Sequence, residues 1–322
     1  MVCTFGTKSI PKHVPMKQAA LHEEPTYEEK SVTTFVCTGN AGKIQEFEAY
    51  FEENTELVGI RQLESESGLA FAEPVEDFNY FLCNAFLKLT SSLRYYAEMA
   101  MRGSTSQQIK RILVDDSGLC VPRLAFEPGV HSAVYGGQPR SAERNRLRLR
   151  NEIAKCHGFS DLSTLTTEKR IDGFFVCFLL SVDVTTSLLT EVTRTGFATR
   201  GFSPNALEQW EKEVFQRVEK EILSSNAEPG GAIHKKIPWR ALFLNSWIED
   251  SFDIDFGYCI GEVSTVEQTR LSGTGHGYDN MFYARQHPEL SFASIPLKQK
   301  NAESHRALAM QSLAGRVKRS HS

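Results

Sequence analysis

Hydrophobic positions in this chain follow two periods, and the period changes from segment to segment. Thr33 to Cys37 is a β-branched and aromatic run, which predicts a buried strand. After it, Ile44, Phe47 and Phe51 recur at helical spacing and predict a helix. Glu64 to Gly68 is polar and reads as loop, whereas Phe81 to Ala97 (FLCNAFLKLTSSLRYYA) is amphipathic and helical. Met99 to Lys110 reads as a connector, and Ile112 to Val114 begins a second strand that ends in Asp115-Asp116-Ser117-Gly118. Arg140 to Lys155 predicts a charged surface helix. Phe174 to Val184 and Leu188 to Gly196 predict an antiparallel strand pair. Ser203-Pro204 suits the cap and first turn of a long helix with Leu207, Trp210, Val214 and Val218 on one side. Asn226 to Pro238 reads as a Gly/Pro-rich loop. Strands interleaved with helices indicate an α/β protein.

This order of elements suggests boundaries. Residues 1–31, interrupted by Pro11, Pro15 and Pro25, form an irregular extension. The main domain runs from 32 to 313, broken by an inserted helical lobe at about 203–256, and 314–322 is a basic tail. With 322 residues and 41% hydrophobic, the chain can bury a sizeable core. A net charge of -4 excludes a chain that works mainly as a basic nucleic-acid binder. The longest apolar run, Phe174 to Leu180, is far short of the ~20 residues that span a bilayer. The N-terminus lacks an apolar stretch with a small-residue cleavage site, so no secretory signal is expected; its lysines without acids leave a transit peptide as the minor alternative. The 7 cysteines are scattered, odd in number and partly in apolar runs, as expected of reduced thiols in the cytoplasm. No Cys/His group has zinc-site spacing.

Three constellations could carry chemistry. Thr38-Gly39-Asn40-Ala41-Gly42-Lys43 lies between a strand and a helix, where backbone N–H groups and a lysine suit a polyphosphate. It lacks the P-loop spacing, and an ordinary glycine turn would look the same. Asp115 and Asp116 are neighbours on a strand and so face opposite sides. Carboxylates beside phosphates suit Mg²⁺, although this string also fits an Asx turn; Glu66, from an earlier loop, could join them. Near the C-terminus, His276-Gly277-Tyr278-Asp279 is followed by Lys300, His305 and Arg306, donors for phosphate and base edges.

Taken in order, TGNAGK (38–43), ESGL (66–69) with FLCNAFLK (81–88), DDSGL (115–119) with PGVHSA (128–133), HGYD (276–279) and KNAESHR (300–306) resemble the inosine triphosphate pyrophosphatase family. The resemblance covers roughly residues 32–200 and 262–313. It implies an elongated mixed β-sheet flanked by helices, two lobes with a nucleotide cleft, and a homodimer. The implied reaction is hydrolysis of non-canonical purine nucleoside triphosphates (ITP, dITP, XTP) to the monophosphate and pyrophosphate, with Mg²⁺ or alternatively Mn²⁺. On this resemblance Thr38, Gly39, Asn40, Ala41, Gly42 and Lys43 hold the triphosphate, and Glu66 and Asp116 hold the metal. Asp116 activates water with Asp115 in support, and Ser117 contacts the nucleotide. His276, Gly277, Tyr278 and Asp279 line the base pocket, Lys300 reaches phosphate, and His305 with Arg306 reads the six-keto oxygen. A donor aimed at that oxygen would reject the six-amino group of adenine.

His276 stands where most members carry an aromatic residue, which predicts weaker base binding or a shifted preference without loss of the chemistry. Residues 74–80 lengthen the stretch before the Asn84 helix. The expected partner is the purine nucleotide, with no nucleic acid and no membrane; the inserted lobe could bind another protein. A non-catalytic nucleotide-binding protein, or a triphosphatase for other modified nucleotides, is the alternative.

Overall fold

The computed structural model describes residues 32–51, 55–105, 108–195, 202–224, 228–243, 250–268 and 277–321. The elements run β1 (Val32–Val36), α1 (Ala41–Glu48), β2 (Thr55–Gly59), α2 (Ile60–Ser67), α3 (Phe81–Arg102), β3 (Ile109–Cys120), α4 (Ala142–Cys156) and β4 (Arg170–Asp183). They continue with α5 (Thr186–Thr195), α6 (Asn205–Leu223), β5 (Gly230–Pro238), β6 (Ser251–Ser264), β7 (Phe282–Ala284), α7 (Leu297–Glu303) and α8 (His305–His321).

The strands form one 7-stranded sheet of order β2-β1-β3-β4-β6-β5, with β7 also on β6. β1 pairs in parallel with β2 and β3, while β3–β4, β4–β6, β5–β6 and β6–β7 are antiparallel. The sheet is therefore mixed and helix-flanked, as the resemblance implied. β4 is buried along nearly its whole length. A strand covered on both faces reads as a continuous apolar run, which is why it was visible in the sequence.

Alternate residues of the central strands feed different cores. Ile112, Val114, Phe174, Val176 and Phe178 join the large cluster under α3 and α6. Leu113, Cys177 and Leu179 join Phe47 of α1 and Met310 of α8 on the opposite face. A third cluster packs Leu149 and Ile153 of α4 against Phe175, Phe282 and Phe292. Each fully buried Leu or Phe stabilises the fold by about 1.5–3 kcal/mol, so these clusters fix the sheet rigidly beneath the polar groups at its centre.

Several expectations change. Glu64–Ser67 is the end of a helix, closed by Gly68 at φ 69°. Leu188 and Val192 are buried on α5 at helical spacing, so residues 188–195 are helix and no strand partner for β4. The partners of β4 come instead from 109–120 and 251–264. Residues 230–238, expected as loop, are β5. Ser203 gives no side-chain cap to α6. The 203–256 segment does not stand apart as a lobe. Leu207, Trp210, Val214 and Val218 of α6 are part of the largest core cluster, and residues 251–256 are the first half of β6. Residues 314–321, expected as a tail, continue α8. The expectations for 1–31 and for His276 lie outside the described residues. Among the described residues no helix is long and apolar enough to cross a membrane.

Candidate active site

The site forms where β3 passes between α1, α3 and α8. The DDSG string lies inside the 12-residue β3, not at its end. The strand alternation therefore acts on it directly: Asp115 and Ser117 point to the face of α1 and α8, and Asp116 points to the face of α3. Gly118 completes the string for a steric reason. A Cβ there would lie 2.7 Å from both the Gly129 carbonyl oxygen and Ser132 Oγ. Ser132 in turn donates to Gly129 O at 2.6 Å and accepts Leu119 N–H at 3.1 Å, so the PGVHSA segment is fastened against the strand.

On the α1/α8 face, Lys43 Nζ meets both Asp115 oxygens at 2.9 and 2.8 Å. Arg306 Nε lies 3.6 Å from Asp115 Oδ2, and its Nη2 donates to Ser117 Oγ at 3.2 Å. The other terminal nitrogen of Arg306 pairs with Glu46 of α1. Burial alone would raise the Asp115 carboxyl, but Lys43 and Arg306 outweigh it and hold it well below the usual carboxylate range. His305 stacks on Phe175 with centroids 4.9 Å apart and rings inclined by 13°. Its Nδ1 is buried without a hydrogen-bond partner. Burial, with Arg306 and Lys300 nearby, pushes the His305 pKa well below its ordinary value, so the ring is neutral.

The loop before α1 supplies Thr38, Gly39 and Asn40. Thr38 Oγ1 accepts Asn40 N–H at 3.1 Å, and Gly39 and Asn40 are exposed at the start of α1. Ala41 and Gly42 form its first turn. Backbone N–H groups at such a start are suited to an anion.

On the α3 face, Lys88 Nζ lies 3.1 Å from Asp116 Oδ1 and 3.1 Å from Glu76 Oε2, and donates to the Asp115 carbonyl at 3.3 Å. Burial pushes the Asp116 carboxyl up; Lys88 opposes this, Glu76 and Asp115 add to it, and the pKa reaches about 6. Burial works against the Lys88 charge, but Asp116 and Glu76 outweigh it and keep the ammonium charged.

At the other end of the site, Tyr278 is buried and donates from its hydroxyl to Ser132 O at 2.9 Å. Gly277, at φ 64°, accepts Arg146 at its carbonyl. Lys300 Nζ pairs with Asp279 Oδ2 at 2.6 Å.

The structure thus gathers Lys43, Asp115, Ser117 and Arg306 into one network, stacks His305 on Phe175, and places Asp116 on the reverse of the strand. Glu66 is not part of either group: it is exposed on α2, where its carboxylate accepts from Gln62 at 3.0 Å. The carboxylate that joins Lys88 and Asp116 is Glu76, from the lengthened 74–80 stretch. Lys88, Glu76 and Glu46 had no role in the sequence reading. Lys88 carried one signal, a lysine within an otherwise buried helical run; Glu76 carried none. Among the described residues no three His, Cys, Asp or Glu side chains gather as a metal cage. A cation here would have two carboxylates, Asp116 and Glu76, and would need other oxygens to complete its shell.

The family model for the Ham1 family matches residues 34–193 and 248–316. The segment between these matches contains α6 and β5. A dITP/XTP pyrophosphatase of Acinetobacter baumannii (strain ACICU) is 30% identical over 147 residues, covering 46% of this chain and 60% of that protein. One of Geobacillus kaustophilus is 31% identical over 166 residues, covering 50% of this chain and 67% of that protein. The chain thus spans about 60% of the length of the first of these relatives. In fold, it matches a HAM1 protein from Coxiella burnetii with a TM-score of 0.54 at 17% identity, over 89% of this chain and 99% of that one. It also matches the Staphylococcus aureus Ham1 protein with a TM-score of 0.51 at 20% identity, over 89% and 99%. The motif-bearing strands and helices fall within the matched residues, and the chain belongs to the Ham1 family.

Proposed function

We propose that this protein is a nucleoside triphosphate pyrophosphatase that hydrolyses ITP, dITP and XTP to the nucleoside monophosphate and pyrophosphate. The observation that carries this reading is the contrast on β3. A carboxylate neutralised by Lys43 and Arg306 sits next to one, Asp116, that burial and Glu76 push towards neutral pH. The names of the Acinetobacter and Geobacillus relatives support the reaction class.

Thr38 to Lys43 receive the triphosphate at the start of α1, where N–H groups and the Lys43 ammonium offset its charge. Lys300, paired with Asp279, would reach phosphate. Asp116 takes the proton from the attacking water; a base with a pKa of about 6 is ionised at pH 7 yet still basic. Asp115 keeps Lys43 and Arg306 in place. Asp116 and Glu76 would hold a divalent cation, and Mg²⁺ fits because it binds through one or two carboxylates plus substrate phosphates. When bound, the cation offsets charge on the phosphate oxygens. His305, neutral and with its Nδ1 unpartnered, and Arg306 face the base. A site that hydrogen-bonds a six-keto oxygen disfavours adenine by leaving donors mismatched.

The buried thiols Cys83, Cys120, Cys177 and Cys259 suit the cytoplasm. A homodimer is the expected assembly, and light scattering would test it. The test of function is turnover with Mg²⁺ and a panel of triphosphates, with pyrophosphate and orthophosphate measured separately. Pyrophosphate from inosine triphosphate, with little from ATP, is the expected result. Orthophosphate alone would reject cleavage between the α- and β-phosphates, and absence of turnover would favour a nucleotide-binding role.

A further inference from the structure

Glu211 carries a buried carboxyl group that the proposed reaction does not use. It lies on α6, in the segment that the family model skips, and is 3% exposed. Its two oxygens accept the backbone N–H groups of Phe81 at 3.2 Å and Leu82 at 2.8 Å. These are the first two residues of α3, whose own N-cap residue, Tyr80, makes no side-chain cap hydrogen bond. A helix start leaves N–H groups unpaired, and burying them without an acceptor is costly. The inserted helix therefore provides the cap that α3 lacks.

What α3 carries makes this matter. Asn84, in its first turn, exchanges hydrogen bonds with Phe78: Nδ2 donates to the carbonyl at 3.0 Å, and Oδ1 accepts the N–H at 3.2 Å. That fixes the chain two residues from Glu76. Lys88, in the second turn, reaches Asp116 and Glu76, each at 3.1 Å. A helix transmits displacement of its first turn to its second, and hydrogen bonds weaken over a few tenths of an ångström. The far end of α6 is held as well. Arg285, directly after β7, donates to the carbonyls of Glu221, Ile222 and Ser224 at 3.3, 2.9 and 3.3 Å. Tyr258 of β6 donates to Glu221 at 2.6 Å.

We propose that α6 is a brace for the active-site helix α3, and that Glu211 is a positioning residue that sets where Lys88 and the Glu76 stretch meet Asp116. The claim rests on the pyrophosphatase reading only for what Lys88 and Asp116 accomplish. The hold of Glu211 on α3 can be measured without turnover.

The experiment compares Glu211→Ala, Glu211→Gln and, as a control on the exposed side of α6, Glu213→Gln in the full chain. Amide hydrogen exchange is followed across residues 81–88, and kcat and KM are measured with inosine triphosphate and Mg²⁺. Glu211→Ala is expected to speed exchange at Phe81 and Leu82 by about tenfold or more, the effect of losing a helix cap. It should also lower kcat by about tenfold, with KM within about twofold. Glu211→Gln keeps one acceptor and should recover most of both losses, so the test stands even where the alanine variant fails to fold. In a Lys88→Met background, Glu211→Ala should change kcat by less than about twofold, because the two residues act in series.

Unchanged exchange would overturn the brace. So would raised exchange with unchanged kcat, or a loss of equal size with and without Lys88, which is the mark of a merely structural role. A wild-type protein that releases no pyrophosphate would overturn the reaction class instead, and the exchange data would still decide whether Glu211 holds α3.

Discussion

Asp115 and Asp116 are adjacent in the chain and differ in almost everything else. On the α1/α8 face, Asp115 is surrounded by Lys43, Arg306 and Ser117 and is fully compensated. On the α3 face, Asp116 shares one ammonium, Lys88, with a second carboxylate, Glu76. On the first face the two cations, Lys43 and Arg306, are matched by Asp115 and Glu46, whereas on the other two carboxylates share one cation. The pleat of one strand thus separates two differently charged surroundings by a single residue.

Mutation of the two residues should break this symmetry in opposite directions. Asp116→Asn removes the proton acceptor and should lower kcat by about 10²–10⁴-fold with little change in the urea midpoint. Asp115→Asn should act chiefly on the fold. It leaves Arg306 and Lys43 facing each other and should cost about 3 kcal/mol in urea unfolding, at the low end for a broken buried pair because Lys43 keeps partial solvent contact. An Asp115 variant that is stable but inactive would reverse the assignment.

The pH dependence sharpens the comparison further. The Asp116 carboxyl is raised from 3.8 to about 6 and is competent when ionised. Its proton is therefore gained as pH falls through about 6, and kcat/KM should drop about tenfold per pH unit below that point. Asp115, held in the opposite direction, should contribute no step there. A rate that stayed flat down to pH 5 would remove Asp116 as the base.

Smaller effects separate the two glutamates. Glu76→Gln should weaken Mg²⁺ binding by about tenfold, read by metal titration. Glu66→Gln, on an exposed helix, should leave metal affinity and stability nearly unchanged, within about 0.5 kcal/mol. Equal losses in both would restore Glu66 to the site.

Much of this was legible before folding was considered. The strand of Thr33–Val36, the helix from Phe81 and the buried run of β4 all announce themselves by local period, because one face or both faces are covered by the core. Positions 115 and 116 had to diverge because strand side chains alternate. The motif order pointed to the inosine triphosphate pyrophosphatase family, and the family model places the chain in the Ham1 family. Short segments whose state depends on distant partners were not legible. The β-branched residues near 188–196 resemble a strand, yet Leu188 and Val192 find the core only as one face of α5. Gly230 and Gly231 suggest a loop, yet they belong to β5, where a Cβ on Gly230 would lie 2.5 Å from the Tyr258 carbonyl oxygen.

Local periodicity and residue chemistry were enough for the α/β class, the opposed carboxylates of β3 and the cationic residues at the ends of the motifs. Folding, and no local pattern, sets Glu76 rather than Glu66 against Lys88. It also brings α6 to the first turn of α3, which Glu211 closes. Both depend on contacts between segments far apart in the chain or in irregular conformation, where charge and burial are set by the neighbours that folding brings, and no local pattern encodes them.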